Sequence, residues 1–168
     1  DLLAIYPKND ATERFYSIGR VNGCVQLVVK LHPHGSGSGS LNEMINGNVL
    51  SARWLPNIHF HLPRKAKQVA MIATGTGIAP FWGMLDNNTS RIPARLYVGF
   101  RNKQPSNESY AEFADKQMKL GKLTSYHVAY SREGACQYVL DLIKEDGEYF
   151  ANLLADRGVI LICGALQM

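Results

Sequence analysis

No apolar run in this chain approaches the roughly 20 residues that a membrane-spanning helix needs, and its first residues lack the basic-then-apolar build of a secretory signal. Cysteine is scarce: Cys24, Cys136 and Cys163 lie far apart, share no metal-ligand spacing, and are odd in number. That argues against a disulfide framework and for a reducing compartment. Concentrated positive charge is also missing, since Arg64, Lys65 and Lys67 form the only tight basic cluster. A nucleic-acid binder usually gathers its charge on one face, so no nucleic-acid partner is expected. No internal repeat is visible. The expected state is a soluble cytoplasmic segment making no membrane contact of its own; a tether elsewhere in a full-length protein is compatible with it.

What is present is an ordinary globular composition: 168 residues, 46% hydrophobic and 19% charged, with 18 Lys and Arg against 14 Asp and Glu for a net charge of +4. That length accommodates one large domain or two small ones, and the modest basic surplus suits phosphate-bearing small ligands. The chain opens at Asp1 in mid-pattern and stops at Met168 directly after an apolar run, which reads as a fragment of something longer, truncated at both ends.

The first third reads as β. Leu2 to Tyr6, Arg14 to Ile18, Val25 to Leu31, Val49 to Leu55 and His59 to Leu62 are short β-branched or aromatic segments, separated by turn signals such as Asn22-Gly23 and Leu55-Pro56-Asn57. Strands of this kind predict a small antiparallel barrel over residues 1–66. From residue 67 to 168 the rhythm changes to strand and helix in alternation. Strands are expected at Gln68 to Ala73, Ala94 to Phe100, Leu123 to Tyr130 and Val159 to Cys163. Helices are expected at Ala79 to Asn87 and Glu108 to Leu120, with one or two more over Val139 to Ala155. That alternation predicts a Rossmann-like parallel sheet covered by helices.

Two glycine-rich stretches could carry chemistry. Met71 to Phe81 runs from a hydrophobic strand into Thr74-Gly75-Thr76-Gly77, with Pro80 where a helix's first turn tolerates it. Its glycines would let a pyrophosphate approach the backbone, and the helix dipole would favour the negative charge. No Lys-Ser/Thr pair follows, so it is not a Walker loop. A plain tight strand-to-helix connection explains it equally well in isolation. The Gly35-Ser36-Gly37-Ser38-Gly39-Ser40 run lies inside the β pattern and leads into a short helix-like stretch from Leu41 to Ile45, a place that also suits a phosphate.

Five motifs taken in order carry a resemblance. Arg14-Phe15-Tyr16-Ser17, Gly35 to Leu41, Gly75-Thr76-Gly77-Ile78-Ala79-Pro80-Phe81, Ser131-Arg132 and Cys163-Gly164 together span nearly the whole chain. This order resembles the ferredoxin–NADP reductase superfamily, and most of all its diflavin branch, which includes cytochrome P450 reductase and the sulfite reductase flavoprotein. The opening Leu2 to Asp10 resembles the start of that branch's reductase half.

The resemblance implies an antiparallel FAD-binding split barrel followed by an NADP-binding α/β domain. It places Arg14 on the FAD pyrophosphate, Tyr16 on the isoalloxazine ring and Ser17 near flavin N5. Gly35, Ser38 and Leu41 match the phosphate loop, with the Ser36 and Gly37 amides facing the pyrophosphate. The run also accepts a second register, with Gly37 and Ser40 in the first two places and Glu43 in the third, and only Leu41 favours the first. Thr74, Gly75, Thr76 and Gly77 would carry the NADP pyrophosphate, Ser131 and Arg132 the 2′-phosphate, and Tyr138 the adenine end. Cys163 would lie near nicotinamide C4 and, with Ser17, act at the reacting atoms. Departures fall at Cys136 or Ala135 where the branch has Lys, at Leu140 where it has Gln, and at Ala165 where it often has Asp or Ser.

The implied activity is hydride transfer from NADPH to FAD, then release of single electrons to an FMN flavodoxin-like, iron–sulfur or haem acceptor. The expected partner is a flavodoxin-like FMN domain in the same full-length chain. A non-catalytic FAD- or NAD(P)-binding regulatory module is the alternative. His32-x-His34 and His59-x-His61 each share a strand face, but no Cys or carboxylate pair accompanies them and Pro33 interrupts the first, so no metal site is expected. His32 is instead a candidate contact near the FAD adenine.

Overall fold

The computed structural model describes residues 1–8 and 10–164; Asn9 and Ala165 lie outside the described residues. Strands β1 (Leu2–Ile5), β2 (Arg14–Val21), β3 (Cys24–Leu27) and β4 (Ala52–Leu55) form an antiparallel sheet in the order β3-β2-β1-β4. Asn22 and Gly23 close the β2–β3 hairpin with φ of 50° and 80°. A two-residue hairpin loop with positive φ at both positions is where Asn-Gly is favoured.

Helix α1 spans Ser36–Asn42, so it begins inside the Gly/Ser run and ends before Ile45, rather than starting at Leu41. Glycine and serine are poor helix formers, and tertiary contact overrides them here. A Cβ on Gly37 would lie 2.7 Å from the Tyr16 hydroxyl and 2.9 Å from Arg14 Cγ, so only glycine lets this turn press onto β2.

The strand expected at His59 to Leu62 does not form. The Asn57 side-chain oxygen accepts from the amides of His59 and Phe60, at 3.0 and 3.1 Å, taking donors a strand would need. Phe60, Leu62 and Ala66 instead pack against the core of the second half. The strands expected at Val25 to Leu31 and Val49 to Leu55 are shorter than expected, keeping only Cys24–Leu27 and Ala52–Leu55.

The second half is doubly wound. Strands β5 (Val69–Thr74), β6 (Ala94–Phe100), β7 (Ser125–Tyr130) and β8 (Val159–Cys163) are parallel, in the order β7-β6-β5-β8. Alternate residues of β5 serve opposite faces. Val69, Met71 and Ala73 join Ile78, Phe81 and Leu85 on the face covered by α2 (Ala79–Asp86) and α3 (Pro105–Lys119). Ala70 and Ile72 join Tyr97, Phe150 and Leu153 under α4 (Val139–Glu145) and α5 (Gly147–Ala155). The sheet order reverses between β5 and β8, and open α/β sheets bind ligands at such a switch, beyond the carboxyl ends of the strands.

α3 starts three residues earlier than its pattern suggested. Pro105 is preset for a first turn, and the Asn107 side-chain oxygen accepts from the Gln104 amide at 2.6 Å. Among the described residues no helix is long and apolar enough to cross a membrane.

Candidate functional site

β5 ends at Thr74, and the chain leaves it through a 3₁₀ turn, Gly75–Ile78, into α2, with Pro80 in the first turn. Gly75 has φ +52° and, among the described residues, open space where a side chain would be. Gly77 is required for a different reason, because a Cβ there would overlap the Cys163 carbonyl at the end of β8. Gly164 is packed in the same way onto the Thr74 hydroxyl. That hydroxyl is buried and has no hydrogen-bond partner among the described residues. The glycine loop and the Cys163-Gly164 segment, far apart in sequence, therefore meet backbone to backbone at the switch point.

The first half supplies the opposing wall. The Cys163 thiol donates toward the Ser17 hydroxyl at 3.9 Å, across the two sheets. Burial pushes the thiol's pKa up, and the Ser17 contact opposes this by less. A neutral thiol beside a hydroxyl presents two short uncharged polar groups at the place where the halves face each other.

On β2, Arg14 and Tyr16 share a face with α1 lying across them. The Arg14 guanidinium donates to Asp10 at 2.9 Å and to the Ser36 hydroxyl at 3.3 Å, and Ser36 in turn donates to Asp10 at 2.8 Å. The Thr12 amide, and after it Ser36, hold the Asp10 carboxyl below its ordinary pKa. Burial raises the Tyr16 phenol. Ser36, Gly37 and Ser38 occupy the first turn of α1, whose amides have no intrahelical acceptor. The Ser38 hydroxyl is turned inward, donating to the Gly35 carbonyl and accepting from the His32 amide at 3.1 Å.

Ser131 and Arg132 continue the β6–β7 pairing past its end, their amides donating to the Phe100 and Arg101 carbonyls at 2.9 and 2.8 Å. The Glu133 carboxylate accepts from the Lys103 amide at 2.6 Å, binding the two strand-end loops together. Arg101, Lys103 and Arg132 are all exposed there. Tyr138, 62% exposed, precedes α4 and is fixed by its amide donating to Asp141 at 2.9 Å. The next residue, Val139, packs against Gly99, which pairs with Thr74.

The structure thus brings the expected residues into three groups: Arg14, Tyr16, Ser36 and Gly37; Thr74, Gly75, Gly77, Cys163 and Ser17; and Ser131 and Arg132, with Tyr138 at the rim. Thr76 is exposed on the glycine turn. Asp10, Arg101, Lys103 and Glu133 belong to these groups and were missed in the sequence. Arg101 and Lys103 sit just after a predicted strand end, which is a usable signal; Asp10 and Glu133 act through loop geometry.

Residues 71–168 match the family described as the oxidoreductase NAD-binding domain. Over 128 residues, 70% of this chain, it is 34% identical to rat NADPH–cytochrome P450 reductase, and over 164 residues, 90% of the chain, 30% identical to that of Salmo trutta. It is also 33% identical over 132 residues to a nitric oxide synthase-like protein of Bombyx mori, covering 71% of this chain and 12% of that protein. The chain spans only 19% and 26% of the two reductases. In fold it is similar to ferredoxin-NADP+ reductase from Plasmodium falciparum with 2′P-AMP. The TM-score is 0.66 at 23% identity, covering 95% of this chain and 71% of that one; a mutant form gives 0.71 at 22% identity, covering 99% and 73%. The chain belongs to the oxidoreductase NAD-binding domain family, within the diflavin branch of the ferredoxin–NADP reductase superfamily.

Proposed function

We propose that this chain is the hydride-transfer unit of a flavoprotein reductase, with residues 1–66 holding FAD, residues 67–168 holding NADPH, and electrons leaving singly to an acceptor. The observation that carries this reading is the 3.9 Å approach of Cys163 to Ser17, which puts the end of the nucleotide-binding sheet against the strand bearing the flavin motif.

Three features fit the two cofactors. Among the described residues the space over Gly75 is open, the Thr74 hydroxyl beside it is buried without a partner, and Ser36 in the first turn of α1 bonds the Arg14 guanidinium through its hydroxyl. Arg14 and the Ser36 and Gly37 amides would hold the FAD pyrophosphate, with Tyr16 against the ring. Gly75, Thr76 and Gly77 would hold that of NADPH, with Ser131 and Arg132 on its 2′-phosphate and Tyr138 at the adenine end. Bound FAD would supply the chemistry, accepting a hydride and passing on single electrons. The chain's own work is orientation. Ser17 offers a hydroxyl at the reacting face, Cys163 a neutral thiol, and the glycine turn fixes the nucleotide without competing charge.

The acceptor we propose is a flavodoxin-like FMN domain in the same full-length protein, reducing an iron–sulfur or haem centre in turn. The test is the visible spectrum of the full-length protein, followed anaerobically during addition of NADPH and then NADH. The flavin bands are expected to bleach, faster with NADPH. Failure to take up FAD would overturn the reading, and flavin that binds but never bleaches would make this a regulatory module.

A further inference from the structure

β2 and α2 meet through two glycines. A Cβ on Gly19 would overlap the Ala79 carbonyl oxygen and lie 3.2 Å from the Gly83 nitrogen. A Cβ on Gly83 would lie 2.6 Å from the Arg20 nitrogen and 3.1 Å from Gly19 Cα. Both glycines are buried, and neither has a positive φ. Their backbone conformations therefore do not demand glycine, and within a helix alanine would be the better former. What they provide is distance: strand backbone lies directly on helix backbone. Two side chains pin the contact. Asp86 accepts from the Asn22 amide at 2.9 Å, and the Asn87 amide group donates to the Gly83 and Arg20 carbonyls at 2.7 and 3.3 Å.

β2 also carries Arg14, Tyr16 and Ser17, while α2 opens directly out of the glycine turn that packs on Cys163. We infer that the Gly19–Gly83 clasp is the positioning device that sets Ser17 against Cys163, and through them the spacing of flavin and nicotinamide; this rests on the hydride-transfer reading. A methyl group at Gly19 forces strand and helix apart by about 1 Å, and a displacement of that size costs on the order of 10²-fold in rate. Each cofactor's own contacts survive, because Arg14, Tyr16, Ser36 and Gly37 lie on one side of the clasp and Gly75, Gly77, Ser131 and Arg132 on the other.

The experiment compares the full-length protein with its Gly19→Ala and Gly83→Ala variants. FAD and NADP+ dissociation constants are expected to stay within about twofold of the parent, because each group of binding residues lies on one side of the clasp and moves with it. Flavin reduction by NADPH is expected to slow about 10²-fold. A second readout needs no cofactor. With Ser17→Cys in the parent and in Gly19→Ala, diamide oxidation is followed as the linked peptide pair carrying positions 17 and 163, and the variant is expected to link at least about tenfold more slowly, since disulfide geometry is narrow. If Gly19→Ala does not fold, Asp86→Ala and Asn87→Ala loosen the pins without adding an atom and should slow both readouts in part.

Unchanged linking and unchanged reduction overturn the inference, as does loss of FAD or NADP+ binding, which would make the clasp a folding contact. A parent that fails to link removes the apposition on which it stands. A parent that binds FAD but is never reduced sinks the hydride-transfer reading instead, and the linking rates alone then decide the positional claim.

Discussion

Thr74 ends the central strand with a buried hydroxyl that has no partner among the described residues, where the chain turns into Gly75. An unpaired buried hydroxyl lowers stability unless a ligand completes it. Thr74→Val keeps the β-branched shape and removes the unpaired group. The melting temperature should hold or rise, while the NADP+ dissociation constant should increase by about three- to tenfold, the worth of one neutral hydrogen bond. Calorimetry and ligand titration read the two effects separately; a lower melting temperature with unchanged affinity would mean that the hydroxyl supports the fold instead. Cys163 permits a second prediction. Its thiol is half-buried and its pKa raised by burial, whereas Cys24 and Cys136 are exposed. Thiolate is the reactive form, so a raised pKa leaves less of it at neutral pH. Limiting maleimide should label Cys24 and Cys136 first and Cys163 last, with Cys163 catching up only as the pH climbs past the ordinary thiol range. Peptide mapping over time gives the order, and early labelling of Cys163 would contradict its burial.

At the scale of elements, α4 and α5 are separated at Asp146, whose carboxylate accepts from Tyr97 at 2.5 Å and from Arg95 at 2.8 Å, both on β6. Tyr97 is fully buried, and Arg95 lies over the Tyr149 ring at 3.8 Å. The Tyr97 hydrogen bond first, and then Arg95, hold the Asp146 carboxyl below its ordinary pKa against the effect of burial. A pKa depressed on folding stabilises the protein above the ordinary carboxylate range and is lost as pH falls through the folded value. Asp146→Ala should therefore cost about 1–3 kcal/mol near neutrality, chiefly by leaving the Tyr97 hydroxyl without its acceptor. The difference between variant and parent in urea unfolding should shrink as the pH falls below about 4. A gap that does not shrink at all over that fall would show that the carboxylate's charge contributes nothing, leaving the loss to packing and to the Tyr97 hydroxyl. The same elements show what could be read in advance. β5, β6, β8 and α2 stand close to where the apolar runs, glycines and Pro80 placed them, because each is long or sharply punctuated. His59 to Leu62 misled because Asn57 captures its amides, and the Gly/Ser run because Gly37 is held by Arg14 and Tyr16 rather than by propensity. Gly19 and Gly83 gave no signal at all: a strand glycine and a helix glycine acquire meaning only when packing puts one on the other.

For the molecule as a whole, the net charge of +4 is modest, and three of its exposed basic residues, Arg101, Lys103 and Arg132, sit together at the carboxyl end of the parallel sheet. Asp10 occupies the guanidinium of Arg14, the residue proposed for the FAD pyrophosphate. In the proposed arrangement the two cofactors would therefore meet different fields: FAD a paired charge, NADPH exposed strand-end cations. NADPH carries one phosphate more than NADH, and exposed charges are screened within about 10 Å at 0.1 M salt. Raising ionic strength should increase the KM for NADPH several-fold and that for NADH much less, narrowing discrimination between them, while flavin content stays constant. Arg132→Ala should lower discrimination at low salt and flatten its salt dependence, because it removes the exposed cation next to Ser131 in sequence. Steady-state KM values for both nucleotides at about 0.05 and 0.5 M salt, for parent and variant, make the test. Equal salt slopes for the two nucleotides would detach the strand-end cations from 2′-phosphate recognition and leave selectivity to the shape of the loop before α4.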